Sequence, residues 1–201
     1  VKHRAIDGLT ILGGEEGVNL ASIVVELSTY TPNGNQHSNS ATAPYLDSYM
    51  TLKDIVVKNV NFTAPEGAKP YNAFNLSSRK VSLDGLTIED CTISSANEDD
   101  NARIIYVGSY AKEMKDKNGE VIVDGVIKNV TIKNCKTNNL HQVMEFREVE
   151  NLTIEGNEFN DNRMQVLLLN GKIKGLVIKS NKVSNALGRF LRGTGFEGTI
   201  E

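Results

Sequence analysis

Along most of the chain, apolar and polar residues alternate over short stretches that stop at Asn, Asp or Gly. The clearest copy spans residues 127 to 137 and reads Ile-Lys-Asn-Val-Thr-Ile-Lys-Asn-Cys-Lys-Thr. Successive side chains of a strand point to opposite faces, so this pattern predicts a short strand with one buried face, closed by a tight turn. The unit recurs. Aligned on the first apolar residue of the strand, its copies start at Leu9, Ile55, Leu86, Val130, Leu152, Leu176 and Thr199, separated by 46, 31, 44, 22, 24 and 23 residues. The last three separations set a basic period of about 23, and the larger ones are a period plus an insertion.

A second strand signal follows each anchor, at residues 22–27, 73–77, 103–107, 142–147, 165–170 and 188–192. A third, very short one follows the turn, as at Asn61-Phe62, Thr92-Ile93, Glu158-Phe159 and Lys182-Val183. Three short strands and three turns per period describe one coil of a parallel β-helix, an all-β fold. A leucine-rich repeat of similar period needs a helical convex side. Here the residues between strands are Asn, Gly, Ser, Lys and Asp in turn-like clusters, and Val and Ile dominate the periodic parts. A β-sandwich is built from hairpins rather than from a repeat of this period.

The run Leu-Thr-Ile-Glu-Gly-Asn-Glu-Phe at residues 152 to 159, with its relatives at 55, 86, 130 and 176, resembles the right-handed parallel β-helix of the pectate-lyase-like superfamily. The resemblance covers nearly the whole chain and is one of scaffold. It implies a right-handed solenoid of about six coils, with ligands on the sheet formed by the second strands. In such β-helices an Asn at the bend after the first strand can stack into a ladder. The positions five residues after the anchors are Val60, Cys91, Cys135, Asn157 and Asn181, so a two-rung ladder is expected at Asn157 and Asn181, with Cys and Val replacing it earlier. Cys91 and Cys135 then share one column. A disulfide needs a particular geometry between neighbouring coils, and buried free thiols are the expectation. Four glycosylation-like triplets, at Asn61, Asn75, Asn129 and Asn151, arise from the same turn-then-strand grammar and are read as coincidence.

Three insertions, at residues 28–50, 94–102 and 110–125, interrupt the repeat. The last holds Lys117-Asn118-Gly119 between two candidate strands, a hairpin signal. Together the insertions are expected to wall a groove on the second-strand sheet. If Val25, Phe74, Ile105, Met144, Leu167 and Phe190 point inward, the adjacent outward column reads Glu26, Asn75, Tyr106, Glu145, Leu168 and Leu191. The next outward column reads Ser28, Ser77, Gly108, Arg147, Asn170 and Gly193. The candidate glycan groove therefore comprises Asn75, Arg103, Tyr106, His141, Glu145 and Arg147. Tyr106 would stack on a sugar ring, Asn75 and Glu145 would bond hydroxyls, and Arg147 or Arg103 would pair with a uronate carboxylate. The bland alternative is a solvated face with a weak Glu145–Arg147 pair.

Composition narrows the chemistry. A net charge of -3 over 201 residues offers no basic stripe for nucleic acid, and no apolar run is long enough to span a membrane. No catalytic motif is recognisable. The floor has no aspartate and one central glutamate, where a calcium-dependent lyase needs converging acids and a hydrolase needs a carboxylate pair. The histidines His3, His37 and His141 do not form a metal-ligating set, and no cofactor is expected. Glu98, Asp99 and Asp100 are the one place for calcium, although acidic loop runs are usually solvated.

Both termini run straight into repeat copies, so the single domain 1–201 is expected to be a piece of a longer polypeptide. The reading that follows is an extracellular or cell-surface β-helix domain of a larger bacterial protein, displaying loops and binding polysaccharide without catalysis. Two alternatives stand beside it: a lyase or glycoside hydrolase acting on an acidic glycan, and a structural spacer or filament subunit partnered by its own polypeptide or by end-to-end neighbours.

Overall fold

The computed structural model describes residues 2–6, 10–12, 19–20, 23–25, 29–30, 36–37, 48–64, 72–76, 82–95, 103–107, 114–115, 118, 121–123 and 127–201, with side chains at 53–61, 83–95, 104–105, 118 and 127–201. Among these the protein is all-β, with no helix, and hence no helix long and apolar enough to cross a membrane. Its body is a mostly parallel sheet with a solenoid-like curl.

The anchor strands Ser48–Lys58, Ser82–Glu89, Ile127–Lys133, Val149–Glu155 and the second half of Leu167–Lys179 lie side by side in parallel. Ile55 pairs with Leu86, Leu86 with Val130, Val130 with Leu152, and Leu152 with Leu176, so these expected anchors fall on one line. The final anchor departs from expectation: Leu176 pairs with Gly198 and not with Thr199. The register shifts between Ile173 and Leu176, which loses one residue from the last strand, Leu191–Ile200. Close approach explains the choice of Gly198, because a Cβ there would lie 2.0 Å from the Leu176 carbonyl oxygen.

A second sheet gathers the short strands Asn61–Ala64, Thr92–Ser95, Lys136–Asn138, Glu158–Asn160 and Lys182–Ser184. The floor strands Ile23–Val25, Asn72–Leu76, Arg103–Val107 and Met144–Phe146 lead to Leu167–Lys179, which runs through a corner and joins floor to anchor strands. Of the insertions, 110–125 forms the expected hairpin, Met114–Lys115 antiparallel to Val121–Val123 around a turn at Asn118. In 28–50, Thr29–Tyr30 pairs antiparallel with Gln36–His37. Residues 96–102, with the acidic run 98–100, lie outside the described residues.

Inward residues stack repeat on repeat. Ile55, Leu86, Val130, Leu152 and Leu176 form one column, and Val57, Ile88, Ile132, Ile154 and Ile178 a second, every member no more than 3% exposed. Burying each such side chain contributes about 1.5–3 kcal/mol. Left-handed backbone recurs at fixed places, inside the anchor strands and at the corners that end them. One residue before the anchor these are Asp54, Gly85, Asn129, Asn151 and Gly175, and four after it Asn59, Asp90, Asn134, Gly156 and Ser180. Asn, Asp and Gly tolerate this conformation best, which is why they fill all of these positions but Ser180.

The residue after that corner carries the ladder. Asn181 Nδ2 donates to the Ile154 carbonyl at 2.8 Å, and Asn157 Nδ2 to the Ile132 carbonyl at 3.0 Å. Asn181 Oδ1 in turn accepts from the Asn157 amide N–H at 3.0 Å, and Asn157 Oδ1 from the Cys135 N–H at 2.9 Å. Cys135 and Cys91 are free, buried, and take the same role. Cys135 Sγ has two carbonyl acceptors in reach, Lys133 of its own repeat at 3.3 Å and Ile88 one repeat back at 3.6 Å. Cys91 Sγ likewise has Glu89 at 3.2 Å and Val57 at 3.7 Å, so the inter-repeat acceptor equivalent to that of Asn157 is the longer of the two. Hydrogen bonding to Cys91 and burial both raise the Cys135 thiol well above its ordinary pKa, so it stays protonated, with its one hydrogen shared among these acceptors.

Replacing Asn157 tests this column. Asn157→Ala should cost about 2–3 kcal/mol, because it strands the buried Ile132 carbonyl and the Cys135 N–H. Asn157→Cys should recover part of the loss by restoring a donor, and urea denaturation of the three proteins measures both.

Candidate functional site

The floor strands set the site. Their parallel pairing places Asn75 opposite Tyr106, Tyr106 opposite Glu145, and Glu145 opposite Leu168, so the central part of the expected outward column is assembled as read. Its two ends differ. Val24, and not Glu26, faces Asn75, and Arg192, and not Leu191, faces Leu168. The same shift pairs Leu191 with Leu167 on the inward line and Asn170 with Thr194, while Gly193 faces Leu169. Counting outward from the alternation alone failed here because the terminal floor strands start one or two residues away from where their apolar runs begin.

Arg103, Tyr106 and Asn75 are placed by their strands, and their side chains lie outside the described residues. Glu145, His141 and Arg147 are described in full. Glu145 points out of the core between Met144 and Phe146, both fully buried, yet it is itself only 7% exposed. Its carboxylate is held by amides on both oxygens. Gln142 Nε2 donates to Oε2 at 3.1 Å and Asn170 Nδ2, from the next repeat, to Oε1 at 3.0 Å. Gln142 is fixed in turn by Gln165 Nε2, which donates to its Oε1 at 2.8 Å. Gln142 and Gln165 are 5% and 6% exposed, so the whole chain of amides is buried.

Such a network favours one arrangement of its members, because a buried polar group left unpaired is costly. Sequence reasoning missed Gln142, Gln165 and Asn170 as partners of Glu145. The available signal was the 23-residue spacing that puts the two glutamines at equivalent places in successive repeats.

Arg147 follows the floor strand at an exposed bend. Its backbone carbonyl abuts Gly171 of the next repeat, where an added Cβ would come within 2.0 Å, so the corner beside Arg147 admits no larger residue. His141 is half-buried, and its carbonyl accepts from the Met164 N–H at 2.7 Å. Of the arginines near the C-terminal end, Arg163 donates to the Asn139 carbonyl at 3.1 Å. Among the described residues no group of three or more His, Cys, Asp or Glu could hold a metal ion.

The arrangement offers a buried carboxylate that accepts an amide hydrogen bond on each oxygen, with the exposed Arg147 two residues further along the chain. That suits binding through fixed hydrogen-bonding groups better than proton transfer. No family model, curated protein or solved structure matches the chain.

Glu145→Gln should cost about 1–3 kcal/mol of stability. The new amide must turn an N–H toward either Gln142 or Asn170, and Gln142 cannot flip to accept it without losing its bond from Gln165. Thermal and urea denaturation check this, and a neutral result would mean that the carboxylate does not organise the network.

Proposed function

We propose that the chain is a right-handed parallel β-helix of about six coils in the manner of the pectate-lyase-like superfamily. In this reading it is an extracellular or cell-surface module of a larger bacterial protein and binds acidic polysaccharide without turning it over. The parallel repeat-to-repeat register and the solenoid-like curl support the architecture. The observation that carries the non-catalytic reading is the state of Glu145: both of its oxygens accept amide hydrogen bonds. A general acid or base has to exchange a proton with substrate, and a glycosidase needs a second carboxylate across the bond.

In the proposed groove Arg147 pairs with a uronate carboxylate, and the Tyr106 strand beside Glu145 supplies the stacking surface. The reading needs no cofactor or calcium. A panel of uronic-acid polysaccharides tests it by calorimetry together with an assay for unsaturated product. Binding without product, weakened at least tenfold by Arg147→Ala, is expected. Product formation that Arg147→Ala abolishes would establish the lyase alternative instead, and the absence of binding to every glycan would leave a structural spacer. The spacer reading draws on the same burial of Glu145, since a buried amide network also serves to fix the floor.

A further inference from the structure

Two outward columns of the anchor sheet carry charges that neither the core nor the groove uses. Two residues before the anchors stand Lys53, Asp84, Lys128, Glu150 and Lys174, each paired in register with the next. Three residues after the anchors stand Lys58, Glu89, Lys133, Glu155 and Lys179, also in register. Within a repeat the two charges have the same sign. From each repeat to the next the sign reverses. Glu201 continues the second column, one residue past the Ile178–Ile200 pair.

The alternation makes real contacts. Glu89 Oε1 lies 3.2 Å from Lys58 Nζ and 3.2 Å from Lys133 Nζ, bridging the repeats on either side of its own. Glu155 Oε1 lies 3.0 Å from Lys179 Nζ. The Glu89 side chain is 18% exposed. Burial pushes its carboxyl pKa up, yet the hydrogen bonds from Lys58 and Lys133 outweigh that and hold it below the ordinary value. Beside Asp90, at 3.3 Å from Lys58, no other ion pair involves these three side chains among the described contacts.

Individually such pairs are weak, so they do not hold the fold together. Their value lies in discrimination. The inward faces of successive repeats are nearly interchangeable: Ile127, Val149 and Ile173 in one column, Val130, Leu152 and Leu176 in the next, Ile132, Ile154 and Ile178 in a third. Apolar stacking therefore says little about which repeat belongs beside which. Directly opposed like charges on neighbouring strands are destabilising. We propose that the alternating charge is a parity rule for repeat order: a repeat meets opposite charge only across an odd number of steps, and skipping one repeat sets like charges face to face in both columns at once.

Repeat deletions in the full chain test this. Removing residues 128–149 joins Ile127 to Glu150 and brings Asp84 and Glu89 against Glu150 and Glu155. Removing 128–173 joins Ile127 to Lys174 and restores opposite signs. Melting temperatures are read at low salt and in about 1 M NaCl, where the screening length falls to roughly 3 Å. Relative to the intact chain, salt should raise the melting temperature of the one-repeat deletion and leave that of the two-repeat deletion unshifted. The same salt response in all three would overturn the proposal. Should either deletion fail to fold, the pair Asp84→Lys with Glu89→Lys in the intact chain decides. A loss of several degrees at low salt, at least half recovered in 1 M NaCl, is expected, and a loss that salt does not touch would also overturn it.

Discussion

The fold depends on what happens to backbone groups at its corners. A strand that turns through a left-handed residue leaves N–H and C=O groups that its own repeat cannot pair, and inside a solenoid-like body no water is at hand to take them. In the column that runs from Val60 to Asn181, the side chains of Cys91, Cys135, Asn157 and Asn181 reach such groups of the neighbouring repeat, and Val60 only packs. The column's chemistry is more permissive than an asparagine ladder suggests. A thiol reaches the equivalent carbonyl to that of an amide, at 3.6 Å from Cys135 against 3.0 Å from Asn157, and Val60 offers no donor at all, so the position favours a donor without requiring one. The amide does one thing more: its oxygen accepts the N–H of the preceding corner, as Asn157 does for Cys135, which the thiols do not.

The candidate site obeys the same economy of polar groups. Glu145, Gln142, Gln165 and Asn170 form a chain in which a charge sits almost out of solvent and accepts from two amide donors. That costs more than an apolar residue would at the same place unless the geometry is kept, and it ties one floor strand to the next. The result is a stiff floor with an exposed Arg147 at its edge. Stiffness of this kind lowers the ordering cost of binding an extended ligand.

Much of this was legible in the sequence, and the reason is locality. The strands, their anchors from Ile55 to Leu176 and the ladder positions follow from a short period that apolar side chains and turn residues both report. The hairpin around Asn118 was equally readable, since its turn residues are contiguous. What failed was the register at the ends. Gly198 took the place expected of Thr199 because a close backbone contact, invisible in the alternation, absorbs a residue. The floor column slipped at Val24 and Arg192 for a related reason: floor strands are short, and a run of apolar residues does not say which of them starts the pairing. The partners of Glu145 were hidden in a different way. Gln142 and Gln165 open the segments expected as floor strands, but the strands start two residues later, at Met144 and Leu167, and only the repeat-to-repeat spacing betrays that the two glutamines meet.

The ladder also has a direction. At each of these corners a donor reaches a carbonyl one repeat back toward the N-terminus, from Cys91 to Val57, Cys135 to Ile88, Asn157 to Ile132 and Asn181 to Ile154, while Asn157 Nδ2 also donates forward to Asn181 Oδ1 at 2.9 Å. Synthesis delivers the chain in that order. Each repeat leaving the ribosome thus finds its acceptor already in place on the repeat before it, and the structure can lengthen by vectorial addition, one closed layer at a time.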